Sequence, residues 1–157
     1  MPTQAQTLRV AMVDDEQALS TIVRRILNKY RVHVDEVDVD VTFNTTNFAS
    51  GEQFLENLAA GNEYDLLLLD LKLPGMSGLD ILAELDRQNK QLLSVMVTAY
   101  ATFETAVQAT KLGAYDFLPK PFSPEELRYT IRKATDQLII SREADRKSTR
   151  LNSSHRT

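Results

Sequence analysis

Four consecutive leucines, Leu66, Leu67, Leu68 and Leu69, run straight into Asp70. A segment with no polar position on either side suits a strand covered on both faces, and such strands belong to parallel sheets with helices above and below. Further apolar runs lie at residues 8–13, broken only by Arg9, and at 92–97, and residues 114–118 read as a further short strand. Between them apolar residues recur at three- and four-residue steps, as amphipathic helices require. Ala18, Leu19, Ile22, Val23, Ile26, Leu27 and Tyr30 form the first stripe, with Arg24, Arg25, Asn28 and Lys29 on its wet side. Ser50, with Gln53 at the capping-box position, opens a second helix carrying Phe54, Leu55 and Leu58, which Gly61-Asn62 ends. Ser77 caps a third with Leu79, Ile81, Leu82 and Leu85, and Thr102 a fourth with Phe103, Val107, Ala109 and Leu112. Ser123-Pro124-Glu125-Glu126 starts a last helix with Leu127, Ile131, Ala134 and Leu138. The order predicts an α/β fold: a five-stranded, doubly wound parallel sheet with helices on both faces and an extended last helix.

Residues 31–47 have a different texture. Val37, Val39, Val41 and Phe43 alternate with Asp38, Asp40, Thr42 and Asn44, the period of a strand with one wet face. Val32 and Val34 alternate too, so the strand is either long or starts after a small turn near Asp35-Glu36. Asp35, Glu36, Asp38 and Asp40 make the segment acidic: either a solvated strand or hairpin, or a feature that recognises a partner. His33 in this stretch reads as a surface or packing residue. Ile139, Ile140 and Ala144 carry apolar character past the end of a compact domain, as a helix overhang or the start of a connector. Residues 1–6 are expected to be disordered. Residues 143–157 are expected to be a helix extension and a disordered or non-native tail.

Composition removes several functions. With no cysteine and only His33 and His155 among 157 residues, thiolate chemistry and multi-histidine metal sites are excluded. No apolar run approaches the roughly 18 residues needed to span a bilayer, and the N-terminus has no apolar signal core, so a cytoplasmic location is expected and no membrane partner. A net charge of −4 argues against direct nucleic-acid binding.

In a parallel α/β sheet chemistry gathers at the carboxyl ends of the strands. Those ends here carry Asp14 and Asp15, Asp70, Thr98 and, just after the last strand, Lys120. Three carboxylates in one pocket repel each other unless a divalent cation relieves them, and an all-oxygen set with waters suits Mg²⁺. Asp70, alone after its apolar strand, suits a nucleophile toward phosphorus, with Lys120 and Thr98 placed for phosphoryl oxygens.

These residues resemble the receiver domain of two-component response regulators over 7–142. Val13-Asp14-Asp15 matches the acidic pair and Asp70 the phosphoacceptor. Leu73-Pro74-Gly75-Met76-Ser77-Gly78 matches the following loop and Val97-Thr98-Ala99 the switch hydroxyl. Gly113 through Phe122 matches the segment whose Lys-Pro bond, here Lys120-Pro121, is usually cis. The resemblance implies a flavodoxin-like fold and a phosphoacceptor switch charged by a histidine kinase or phosphotransfer protein, promoting only its own phosphorylation and dephosphorylation and otherwise not an enzyme. It implies Mg²⁺ ligated by Asp15 directly, Asp14 through water, Asp70, and the Lys72 backbone carbonyl. Thr98 and Phe117 would be the switch pair, without the outward hydrogen bond a tyrosine hydroxyl gives. Lys72 and Tyr100, each two residues past a site residue, would tune phosphoryl lifetime or else be solvated loop residues.

The resemblance places the output on residues 102–112, 114–118 and 124–138, a face for a partner, an output domain or a homodimer. Tyr100 through Ala106 looks like the sigma-54-activator branch. The stretch before the alternating strand is longer than the family's usual pattern. A haloacid-dehalogenase-like phosphatase would need Asp-x-Asp after the first strand, where Asp14-Asp15-Glu16 stands, and a flavodoxin-like cofactor binder would need a Ser/Thr/Gly-rich phosphate loop there. A receiver-like interaction module that is never phosphorylated is the alternative.

Overall fold

The computed structural model describes residues 3–154, with side chains through residue 149. Its elements are β1 (Gln4–Val13), α1 (Gln17–Asn28), β2 (Val32–Val34), β3 (Val39–Phe48), α2 (Gly51–Ala59), β4 (Leu66–Leu69), α3 (Gly78–Arg87), β5 (Leu93–Thr98), α4 (Phe103–Lys111), β6 (Asp116–Pro119) and α5 (Pro124–Ser154). They build one sheet in the order β2-β3-β1-β4-β5-β6. Five strands run parallel, as the buried runs predict, in a flavodoxin-like arrangement.

The sheet differs from the expectation in two places. A sixth strand, β2, pairs antiparallel with β3 (Val32↔Val41, Val34↔Val39), so the alternating segment is a hairpin and the sheet is mixed. Gln4 to Gln6, expected to be disordered, continue β1 because β3 is long enough to pair with them, Gln4 opposite Val39 and Gln6 opposite Val41. The last helix runs on to Ser154, so the helix extension expected from residue 143 reaches residue 154. Residues 1–2 and 155–157 lie outside the described residues. No helix among the described residues is long and apolar enough to cross a membrane.

Side chains alternate across each strand, and the core divides accordingly. Val10 and Met12 of β1 join Val23 and Leu27 of α1 and Leu127, Ile131 and Ala134 of α5 on one face. Ala11 and Val13 join Phe54 of α2, Ile81, Leu82 and Leu85 of α3 and Ala109 of α4 on the other. All four leucines of β4 are buried, the two-sided burial that their unbroken run requires. Capping fixes where helices begin. Ser77 and Asp80 form a reciprocal box before α3, Thr102 and Thr105 one before α4, and Ser123 and Glu126 exchange equivalent bonds before α5. Two apolar stripes are less buried than their periodicity suggests. Ile22 is 52% exposed on α1, and on α4 Phe103 is 86% exposed, with Val107 also exposed.

Candidate functional site

The acidic residues meet where β1 and β4 end side by side, Val13 paired with Leu69. Asp14 and Asp70 follow those two positions, and the Asp70 N–H donates to the Val13 carbonyl at 3.1 Å. One carboxylate oxygen each from Asp14, Asp15 and Asp70 lies within 4.8 Å of the others. Asp14 and Asp70 are buried and Asp15 is exposed. The set is all oxygen and open on the Asp15 side, which fits a hard cation that keeps part of its water shell. The Lys72 N–H donates to Asp70 Oδ1 at 3.2 Å, bringing the Lys72 backbone beside that carboxylate.

Lys120, just past the end of β6, closes the cluster. The Lys120-Pro121 bond is cis. The Nζ atom stands 2.7 Å from Asp14 Oδ2, 2.9 Å from Asp70 Oδ2 and 3.1 Å from Glu16 Oε1. Burial works against the ammonium charge, but the hydrogen bonds to Asp14 and Asp70 outweigh it and hold the lysine pKa above its ordinary value. Burial pushes the Asp14 carboxyl above its ordinary value, opposed by the Lys120 hydrogen bond and the Glu16 N–H. The chemistry on offer is therefore a buried carboxylate, Asp70, beside a fixed cation.

The other expected residues sit at neighbouring strand ends. Thr98 is fully buried at the end of β5, opposite Pro119, and its Oγ1 accepts the Tyr100 N–H at 3.1 Å. Phe117 is half-buried on β6, packed against the apolar cluster that α4 covers. Lys72 and Tyr100 are both exposed and meet in a cation–π contact, the ammonium 4.3 Å from the ring centroid.

Three contributors were not singled out from the sequence. Glu16 joins the Lys120 contacts, and its only signal was its place as third acid in the run after β1. Glu52 of α2 accepts the Met76 N–H at 2.7 Å, which holds its carboxyl below the usual range and ties down the loop after Asp70. Gly78 packs so close to Asp70 that a Cβ there would stand 2.3 Å from the Asp70 carbonyl oxygen. Gly78 ends the loop that matches the family's pattern, but residue spacing gives no signal of this close approach.

The family model described as the response regulator receiver domain matches residues 10–132. The chain belongs to this family. The receiver is 33% identical over 123 residues to the regulatory protein LuxO of Vibrio cholerae serotype O1, covering 78% of this chain and 24% of that protein. It is 31% identical over 125 residues to the DNA-binding transcriptional regulator NtrC of Escherichia coli K12, covering 80% of this chain and 24% of that protein. This chain thus spans about a quarter of the length of these relatives. Among solved structures, the signal receiver domain of a LuxO repressor protein from Vibrio parahaemolyticus superposes with a TM-score of 0.71 at 25% identity. That match covers 88% of this chain and 98% of the other.

Proposed function

We propose that this receiver takes a phosphoryl group onto Asp70 from the phosphohistidine of a histidine kinase or phosphotransfer protein. The observation that carries the reading is the Lys120 ammonium held between Asp14 and Asp70 at 2.7 and 2.9 Å. An Asp70 oxygen attacks phosphorus, the phosphorus–nitrogen bond breaks, and the imidazole leaves with the bonding electron pair. Lys120 then turns from the carboxylates to a phosphoryl oxygen, and the Thr98 hydroxyl exchanges its bond with the Tyr100 N–H for another. Asp14, Asp15, Asp70 and the Lys72 carbonyl would hold Mg²⁺, which supplies charge neutralisation for the transferring group. Lys72 and Tyr100, stacked together, screen the phosphoryl group from water and set its lifetime.

Withdrawal of Thr98 leaves room into which Phe117 moves, which changes the face built from α4, β6 and α5. That face carries exposed Phe103, Val107, Tyr115 and Tyr129, apolar area suited to a second copy or another protein. The likeness of Tyr100 through Ala106 to the sigma-54-activator branch favours a homodimer. With a net charge of −4, the chain works through protein partners rather than by touching nucleic acid itself.

The test is intact mass after incubation with acetyl phosphate and Mg²⁺, with Asp70→Asn alongside. A gain of one phosphoryl group, absent without Mg²⁺ and in the variant, is expected. No gain in the wild type with either acetyl phosphate or a phosphorylated kinase would overturn the phosphoacceptor reading.

A further inference from the structure

The two departures from a plain five-strand domain, the β2–β3 hairpin and the long α5, meet in space. Val32 and Val34 of β2 and Val39 of β3 are buried in one apolar cluster with Ile139 of α5. Val37, Leu138 and Ile140 pack on the border of that cluster, and α5 lies against β2. The contact falls at the edge of the sheet opposite Asp70. α5 begins beside the strand carboxyl ends, just past Lys120, and runs back along the sheet. β2 pairs only with the first residues of β3. Arg142, just beyond the apolar contact, reaches Asp65, the residue before β4, at 2.6 Å.

The hairpin is built to offer one apolar side. Its valines face the helix cluster, whereas Asp35, Glu36, Asp38 and Asp40 are exposed. His33 ties three of those acids together, with Nδ1 2.6 Å from Asp40 and Nε2 3.5 and 3.4 Å from Asp35 and Asp38. A three-residue strand gains little from its own ladder and depends on what it packs against. The helix depends on the hairpin in turn. Ala144 is exposed and residues 145–149 are polar and exposed, so helical order there has no packing of its own.

We propose that the hairpin of residues 32–39 is a clamp that seats α5 from Leu138 to Arg142 on the domain, so that helix and sheet turn as one body to the far edge. A movement of α5 started beside Asp70 then arrives at Arg142 instead of being lost as fraying. The clamp stands without reference to phosphorylation; only the source of the movement rests on the phosphoacceptor reading.

Hydrogen exchange read by mass spectrometry on the 157-residue chain tests this, comparing wild type with Val37→Asp and Val34→Ala. Val37→Asp charges a half-buried position at the hairpin tip, and Val34→Ala trims the clamp without touching backbone pairing. Peptides covering 138–147 should exchange at least tenfold faster in both variants, with β4 and β5 peptides unchanged. Phosphorylation should alter exchange at 138–147 in wild type and leave it unaltered in the variants. Unchanged exchange at 138–147 in the variants would overturn the clamp. So would equal loss of protection across β4 and β5 in both, since the hairpin would then belong to the common core. If wild type takes no phosphoryl group by mass, the functional reading fails, while exchange in the unphosphorylated variants still decides the clamp.

Discussion

Replacing Gly78 by alanine should damage the site from behind. Gly78 is the first residue of α3, and its N–H donates to the Leu71 carbonyl at 2.8 Å. An added Cβ would stand 2.3 Å from the Asp70 carbonyl oxygen, 2.8 Å from Leu71 Cα and 3.0 Å from the Asp70 carbonyl carbon. All three are backbone atoms with no rotamer to escape into. Moving the oxygen contact from 2.3 Å to the 3.0 Å limit for real Cβ atoms needs a shift of about 0.7 Å. Two effects compete. Alanine is favoured over glycine within a helix by up to about 1 kcal/mol. Overpacking a tight contact costs about 1–3 kcal/mol, and this one is against rigid backbone, so a net loss toward the upper part of that range is expected. The displacement falls on the residue that carries the nucleophile. A misplacement of about 1 Å costs on the order of a hundredfold in rate, so phosphorylation by acetyl phosphate should slow by roughly ten- to a hundredfold. Urea unfolding followed by circular dichroism measures the first effect, and intact mass against time the second. Gly61→Ala is the control. Gly61 has φ +101° but open space around its Cβ position, so it should lose about 1–2 kcal/mol from backbone strain with phosphorylation unchanged. A Gly78→Ala protein as stable as wild type and phosphorylated at the same rate would refute the steric reasoning.

Lys120→Met should destabilise the metal-free domain by about 3 kcal/mol, because Asp14 and Asp70 lose the ammonium that neutralises them. Added Mg²⁺ should restore much of the lost melting temperature, and a variant as stable as wild type without Mg²⁺ would contradict this. His33 has its pKa raised above 6.5, chiefly by the Asp40 hydrogen bond. The folded state therefore holds the proton more tightly, and the gain in stability is complete below 6.5 and lost as pH rises through the folded pKa. Imidazole NMR titration and urea unfolding over pH 5–9 should show this, and His33→Gln should flatten the dependence across that window. Tyr100→Ala should shorten the phosphoryl lifetime by opening the Lys72–Tyr100 contact to water, and unchanged decay of the phosphorylated mass would exclude a screening role.

The parallel core was legible because two-sided burial leaves an unbroken apolar signature, as at Leu66 to Leu69, and amphipathic helices leave a different one. Capping residues marked helix starts well, since Ser77, Thr102 and Ser123 act through bonds to residues three positions on. Strand pairing was less legible. Period two in Val32 and Val34 signals a strand but not its direction, and the antiparallel partner is chosen by the short turn at residues 35–38. Gln4 to Gln6 carry no apolar pattern because their place in β1 comes from β3 beside them. At the site, Asp14, Asp15, Asp70 and Lys120 were legible from strand ends alone. The Glu16 contact, the Glu52 tether and the close approach of Gly78 depend on loop geometry that residue spacing does not encode. Phe103 shows the converse: helical spacing put it with the apolar residues of α4, and the fold turns it to solvent.

The sheet has two outer strands, β2 and β6, and both are poor templates for a further strand. β2 is three residues long and is followed by Asp35 and Glu36, whose charges would have to be desolvated by an incoming chain. β6 is four residues long and ends in Pro119, which has no N–H to give. Addition of a strand from another molecule at β2 or β6 is thereby disfavoured. A partner that docks on the helix surfaces instead can bind and release without breaking a ladder of backbone bonds.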